Sequence, residues 1–124
     1  MIDPRSHKPE DSLIFKIDAA QAWQQAVRAG VYRGSLLDEK DGFIHFSTLQ
    51  QVPGTLHRYF AHRTDLVLIA VRAPDLGVAL RWEPSRDGAL FPHLYGPLPM
   101  TAVVGWRPID AGGALPAAED WGLP

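Results

Sequence analysis

The sequence predicts an α/β (α+β) fold, one sheet-rich domain with two or three helices, and three observations carry the prediction. Strand-like runs outnumber helical stripes, and they come in both alternating and continuously apolar forms. The chain has 124 residues, the size of one domain that buries about two-thirds of its extended surface. Hydrophobic residues make up 46% and charged ones 21%, which is the balance of a globular chain with a real core. The globular part is expected over 13–107. It is flanked by a polar tail over 1–12, with Pro4, Pro9 and charges but little to bury, and by an Ala/Gly/Pro-rich tail over 108–124. Trp121 is the residue expected to pin the second tail.

Leu13-Ile14-Phe15-Lys16-Ile17 reads as the first strand, with Leu13, Phe15 and Ile17 on one face and Ile14 and Lys16 on the other. A lone lysine there is either an edge device or a pocket cation. Asp18 is placed as the cap of a helix whose Trp23, Ala26 and Val27 lie on the core side and whose stop is Gly30. Val31 to Lys40 reads as a connecting loop, with Arg33 and Ser35 either a solvated loop pair or in reach of an anionic ligand. Gly42 then turns the chain into Phe43-Ile44-His45-Phe46-Ser47. This strand puts Ile44 and Phe46 on one face and Phe43, His45 and Ser47 on the other. Thr48-Leu49-Gln50-Gln51 is a capping box that opens a second helix, interrupted at Pro53-Gly54 and resumed by Leu56, Tyr59 and Phe60.

Leu66 to Val71 is continuously apolar, the mark of a strand covered on both faces. Ala73 to Gly77 is a turn, and Val78 to Glu83 alternates with Val78, Leu80 and Trp82 inward. The prolines of Phe91-Pro92-His93-Leu94-Tyr95-Gly96-Pro97 place that segment at an edge or in an irregular strand. Ala102 to Trp106 is the last strand.

The net charge of −2 and a pI near 6.2 provide no basic face for tight nucleic-acid or anionic-membrane binding. With no cysteine, disulfides, thiolate metal sites and a cysteine nucleophile are excluded. The start has no apolar signal core, and the longest apolar run is far short of the ~20 residues needed to span a bilayer. A cytoplasmic protein with no membrane partner is the expectation.

Two stretches carry the chemistry. His45 and Ser47 share a strand face at about 7 Å spacing, flanked by Phe43 and followed by a helix start whose N–H groups would suit phosphate. His93 and Tyr95 share a face if their segment is extended. The two pieces are expected to face each other across a small ligand site. For His45 the competing reading is a buried imidazole satisfied by backbone, and for Tyr95 a core ring. Glu83, on the polar side of its strand beside Arg81, is explained equally by a surface ion pair. A serine hydrolase using His45 and Ser47 lacks a G-x-S-x-G elbow, and residues two apart on a strand seldom touch. A metal site from His45, His93 and Glu83 or Asp41 lacks diagnostic spacing, as do His57 and His62, so no metal is expected. Neither glycine-rich phosphate motif occurs.

The strings Asp41-Gly42-Phe43-Ile44-His45-Phe46-Ser47 and Phe91-Pro92-His93-Leu94-Tyr95-Gly96, with Gly30-Val31-Tyr32 and Trp82-Glu83 at their spacing, resemble the bacterial family known as domain of unknown function 952. The resemblance runs from Leu13 to Trp106. It implies an ADP-ribosyltransferase-like fold, with split, curved mixed β-sheets around a cleft for NAD, closest to the RNA 2′-phosphotransferase branch. It also implies that NAD, ADP-ribose or a related nucleotide is the partner and NAD the substrate. His45 and Glu83 become the catalytic candidates. Lys16, Ser35, Phe43, Ser47, His93 and Tyr95 become the ligand-binding ones. Lys16 stands where the family usually has His. A non-catalytic small-molecule or protein-binding module on the same fold is the alternative.

Overall fold

The protein is described by a computed structural model covering residues 12–85 and 88–109. Expectations for the chain before Ser12 and beyond Ile109, including the role of Trp121, lie outside the described residues. Among the described residues eight strands and three α-helices follow in the order β1 (Leu13–Ala19), α1 (Ala20–Ala29), β2 (Val31–Tyr32), α2 (Leu36–Asp41), β3 (Ile44–His45), α3 (Val52–Phe60), β4 (Leu66–Arg72), β5 (Leu80–Pro84), β6 (Leu90–Leu94), β7 (Leu98–Pro99) and β8 (Val103–Pro108). They form an α+β arrangement of three small sheets, ordered β1-β4-β8, β2-β7 and β3-β6-β5. Every pairing among the described strands is antiparallel, so the mixed sheets implied by the resemblance are not found.

β4 is the central strand of its sheet because its apolar run offers no polar face to water. Ile69 and Val71 enter one core with Ile14, Trp23, Ile44 and Leu94. Leu68 and Ala70 enter a second with Phe15, Ile17 and Val52, and Ile109 belongs to it. The alternation read in β1 holds, and Trp23 is core, edge-on to Tyr32 and Trp106 with both centroids at 5.4 Å. Gly30 ends α1 with φ 83°, a left-handed turn that costs a glycine little.

Several sequence expectations need correction. Asp18 does not cap α1: it is the penultimate residue of β1, and α1 has no side-chain cap. Its carboxylate accepts instead from the Tyr32 hydroxyl at 2.5 Å. The supposed loop after Gly30 holds β2 and α2, because Ser35 and Asp38 form a capping box that starts a short helix. The box at Thr48 and Gln51 does form, but it closes a turn. α3 begins at Val52 with Pro53 in its first turn, so the proline starts the helix where it was expected to interrupt it.

Val78 is 96% exposed because Ala73–Ala79 runs as 3₁₀ turns with a break at Gly77, and β5 begins only at Leu80. β6 is central, between β3 and β5. Pro92 is tolerated there because its carbonyl, which accepts from Phe46 N at 2.9 Å, and its nitrogen point to the same side, where β3 has already ended at His45. Just past that end the chain crosses to the other sheet. Phe15 and Ser47 exchange both backbone hydrogen bonds at 2.8 Å.

Candidate functional site

The site is built on α2. Gly34 approaches at φ 98° with its Cα so close to Asp38 that a Cβ would lie 2.7 Å from the aspartate Cβ. Ser35 then caps the helix: its Oγ accepts from Asp38 N at 3.2 Å, and Asp38 Oδ2 accepts from Ser35 N at 2.8 Å. Asp38 is 2% exposed, and this local cap occupies only part of it. Its Oδ1 accepts from His45 N at 3.1 Å and faces His45 Nδ1 at 2.5 Å. Its Oδ2 lies 2.7 Å from Lys16 Nζ, which also donates to the His45 carbonyl at 3.0 Å. Burial alone would raise the Asp38 carboxyl. The hydrogen bond from His45 and the Lys16 charge outweigh it and hold the group well below the usual carboxylate range.

His45 therefore has a carboxylate at each ring nitrogen, since its Nε2 lies 3.0 Å from Asp41 Oδ2. The cross-strand partner of His45 is His93, with ring centroids 5.5 Å apart. Phe43 packs on both rings, at 4.6 Å from His45 and stacked at 4.2 Å on His93. His93 Nδ1 lies 2.8 Å from Glu83 Oε1, and that oxygen also accepts from the Tyr95 hydroxyl at 2.8 Å. The hydrogen bonds from His93 and then from Tyr95 lower the Glu83 carboxyl, and the bond to Glu83 raises the Tyr95 hydroxyl.

All of these groups except Glu83 and Tyr95 border a cavity of about 380 Å³ whose lining includes Lys16, Ser35, Asp38, Phe43, His45, Ser47 and His93. Phe15, Phe46, Tyr59, Phe60 and Phe91 supply aromatic wall, and Ser47 and Thr55 share a hydroxyl pair at 2.9 Å. Lys16 lies on an edge strand of its sheet, as one reading had it, but its side chain turns inward: the residue is 6% exposed, ion-paired and part of the cavity lining. The two histidine-bearing segments do not face each other across a cleft. They are neighbouring strands, and both rings lie on one wall. Glu83 and Tyr95 stand behind His93, outside the cavity lining. The expected phosphate seat at Thr48 has its Thr48 and Gln51 N–H groups taken by the reciprocal box.

Asp38, which joins the network, is the residue that sequence reasoning missed. Its signal was the Ser35-Leu36-Leu37-Asp38 spacing of a capping box, hidden by treating 31–40 as loop. Among the described residues no group of three or more His, Asp or Glu could hold a metal ion, and no helix is long and apolar enough to cross a membrane.

Fold and site together define a small α+β protein with a cavity whose polar wall is a lysine and two carboxylate-backed histidines. Residues 17–106 match the family described as Protein of unknown function (DUF952), and the chain belongs to that family. Among solved structures it is similar to the X-ray crystal structure of protein CC0527 from Caulobacter crescentus, with 41% identity over 90% of this chain and 99% of that one, and a TM-score of 0.79. A double mutant of that protein gives 40% identity, the same coverages and a TM-score of 0.79. Its solution NMR structure gives 43% identity over 82% and 90% of the two chains, with a TM-score of 0.72. No curated protein matches the sequence.

Proposed function

We propose that the cavity binds a nucleotide of the NAD or ADP-ribose type, on a fold of the ADP-ribosyltransferase kind. The carrying observation is a polar wall of Lys16, His45 and His93 set among aromatic rings in one concavity. A flat base or nicotinamide ring packs on the aromatic side, and ribose or phosphate oxygens meet Lys16, Ser47 and His93. At about 380 Å³ the cavity is at the small end of ligand pockets, roughly 300–1,000 Å³. It takes one nucleoside half and leaves the remainder along its mouth.

One observation favours binding without NAD turnover. Cleaving the nicotinamide–ribose bond calls for a negative group facing the sugar, whereas Glu83 is turned to His93 and Tyr95, and Asp38 is consumed by Lys16 and His45. The test is a thermal-shift and calorimetric titration with NAD, ADP-ribose and nicotinamide on wild type and His45→Ala. A ligand at 100 times its Kd adds about 2.7 kcal/mol of apparent stability. A shift in wild type that His45→Ala abolishes supports the reading, and no binding at millimolar concentration refutes it. Consumption of NAD that Glu83→Gln abolishes would restore the transferase.

A further inference from the structure

The two histidines are held differently, and the difference has chemical content. His45 lies between Asp38 and Asp41, so each of its ring nitrogens faces a carboxylate oxygen. That is how a proton donor is held. His93 has one carboxylate, Glu83 at Nδ1. With Nδ1–H donated there, the lone pair is on Nε2, which is how a proton acceptor is held. Both rings line the same cavity, 5.5 Å apart between centroids and inclined by 69°. Lys16 is beside them with three N–H donors, two of which go to Asp38 and the His45 carbonyl.

We propose that His45 and His93 form an acid–base pair that hydrolyses a cyclic phosphodiester of a ribonucleoside. The inference rests on the same cavity being the ligand site. Hydrolysis of such a diester requires a base for water and an acid for the leaving ribose oxygen, both within reach of one phosphorus, and two rings 5.5 Å apart on one wall flank a phosphate seated between them. His93 Nε2 takes one proton from water, and the water oxygen bonds to phosphorus. The bond from phosphorus to one ribose oxygen breaks, and that oxygen takes the proton from His45 Nε2 in the position Asp41 holds in the free protein. The product is a ribonucleoside phosphomonoester with a free neighbouring hydroxyl. Solvent returns the proton from His93 to His45, and no redox partner is needed. Lys16 offers its third N–H to a non-bridging phosphate oxygen, and the aromatic wall takes the base. Glu83 and Asp38 are positioning residues that set which nitrogen of each ring faces substrate.

The experiment is incubation with 2′,3′-cyclic nucleoside monophosphates followed by phosphorus NMR, on wild type, His45→Ala, His93→Ala and Glu83→Gln, each checked for folding by thermal melt. The expected result is conversion to the monoester, reduced about 10²–10⁴-fold by either histidine change. Glu83→Gln should lower kcat with KM unchanged, and if either alanine variant fails to fold, His45→Gln or His93→Gln replaces it. Absence of hydrolysis by wild type above the buffer rate overturns the proposal, as do histidine variants within threefold of wild type. Parallel calorimetry with ADP-ribose separates the two readings: binding without hydrolysis overturns the acid–base pair alone, and hydrolysis without ADP-ribose binding overturns the NAD-type ligand alone.

Discussion

Replacing Asp38 by Asn is the most informative perturbation, because one carboxylate connects α2, β1 and β3. The change keeps shape and removes charge. Lys16, with its side chain 7% exposed, would keep the His45 carbonyl but lose its counter-ion. The cap on Ser35 N and the two contacts with His45 would compete for a single amide oxygen. Removing one member of a buried pair costs about 3–5 kcal/mol, and the carbonyl that remains on Lys16 puts the expected loss at about 3 kcal/mol. For a domain of this size that lowers Tm by about 10–20 °C. Urea unfolding should show a lower midpoint at an unchanged slope. Lys16→Met combined with Asp38→Asn should recover more than half of the loss, since it removes the stranded charge. The pH dependence fixes the sign. Asp38 is depressed below its ordinary value of 3.8, so its contribution is complete above about pH 4 and is lost as pH falls through the lower folded value. The gap between wild type and Asp38→Asn should therefore narrow below pH 4. A loss under about 1 kcal/mol, or a double variant no better than the single one, would refute the network as a source of stability.

Gly34→Ala should cost about 2–3 kcal/mol and weaken ligand binding, since it combines a positive φ with a contact against Asp38, whereas Gly30→Ala, with nothing within 4 Å, should cost about 1 kcal/mol; equal losses in urea melts would contradict this. Tyr32→Phe should cost about 1–3 kcal/mol by leaving Asp18 without its hydroxyl donor. Burial, then the Asp18 charge and hydrogen bond, raises the Tyr32 hydroxyl far above its ordinary 10.0. Its stabilisation is therefore complete below pH 10 and lost above it, and alkaline difference spectra should show Tyr32 ionising only on unfolding. Val78→Ser should change stability by less than about 0.5 kcal/mol; a loss comparable to a core truncation would return Val78 to the inside of a strand.

Local pattern by itself determined the elements whose signal is confined to a few neighbours. The alternation of β1, the continuous apolar run of β4, the Trp23 stripe and the Gly30 stop each follow from side-chain period or backbone freedom. The candidate residues Lys16, His45, Ser47 and His93 stood out because polar groups interrupted apolar strands. Tertiary structure decided what those groups meet. Whether Lys16 was an edge device or a pocket cation depended on a carboxylate 22 residues away in sequence, Asp38, which reaches it only because Gly34 and the Ser35 cap turn α2 toward β1. Pro92 could sit in a central strand only because β3 stops beside it, and Glu83 was drawn behind His93 by strand register. Periodicity reports which face a side chain occupies. Pairing, register and the point where a strand leaves its sheet arise from contacts distant in sequence, and they place the charges of this site.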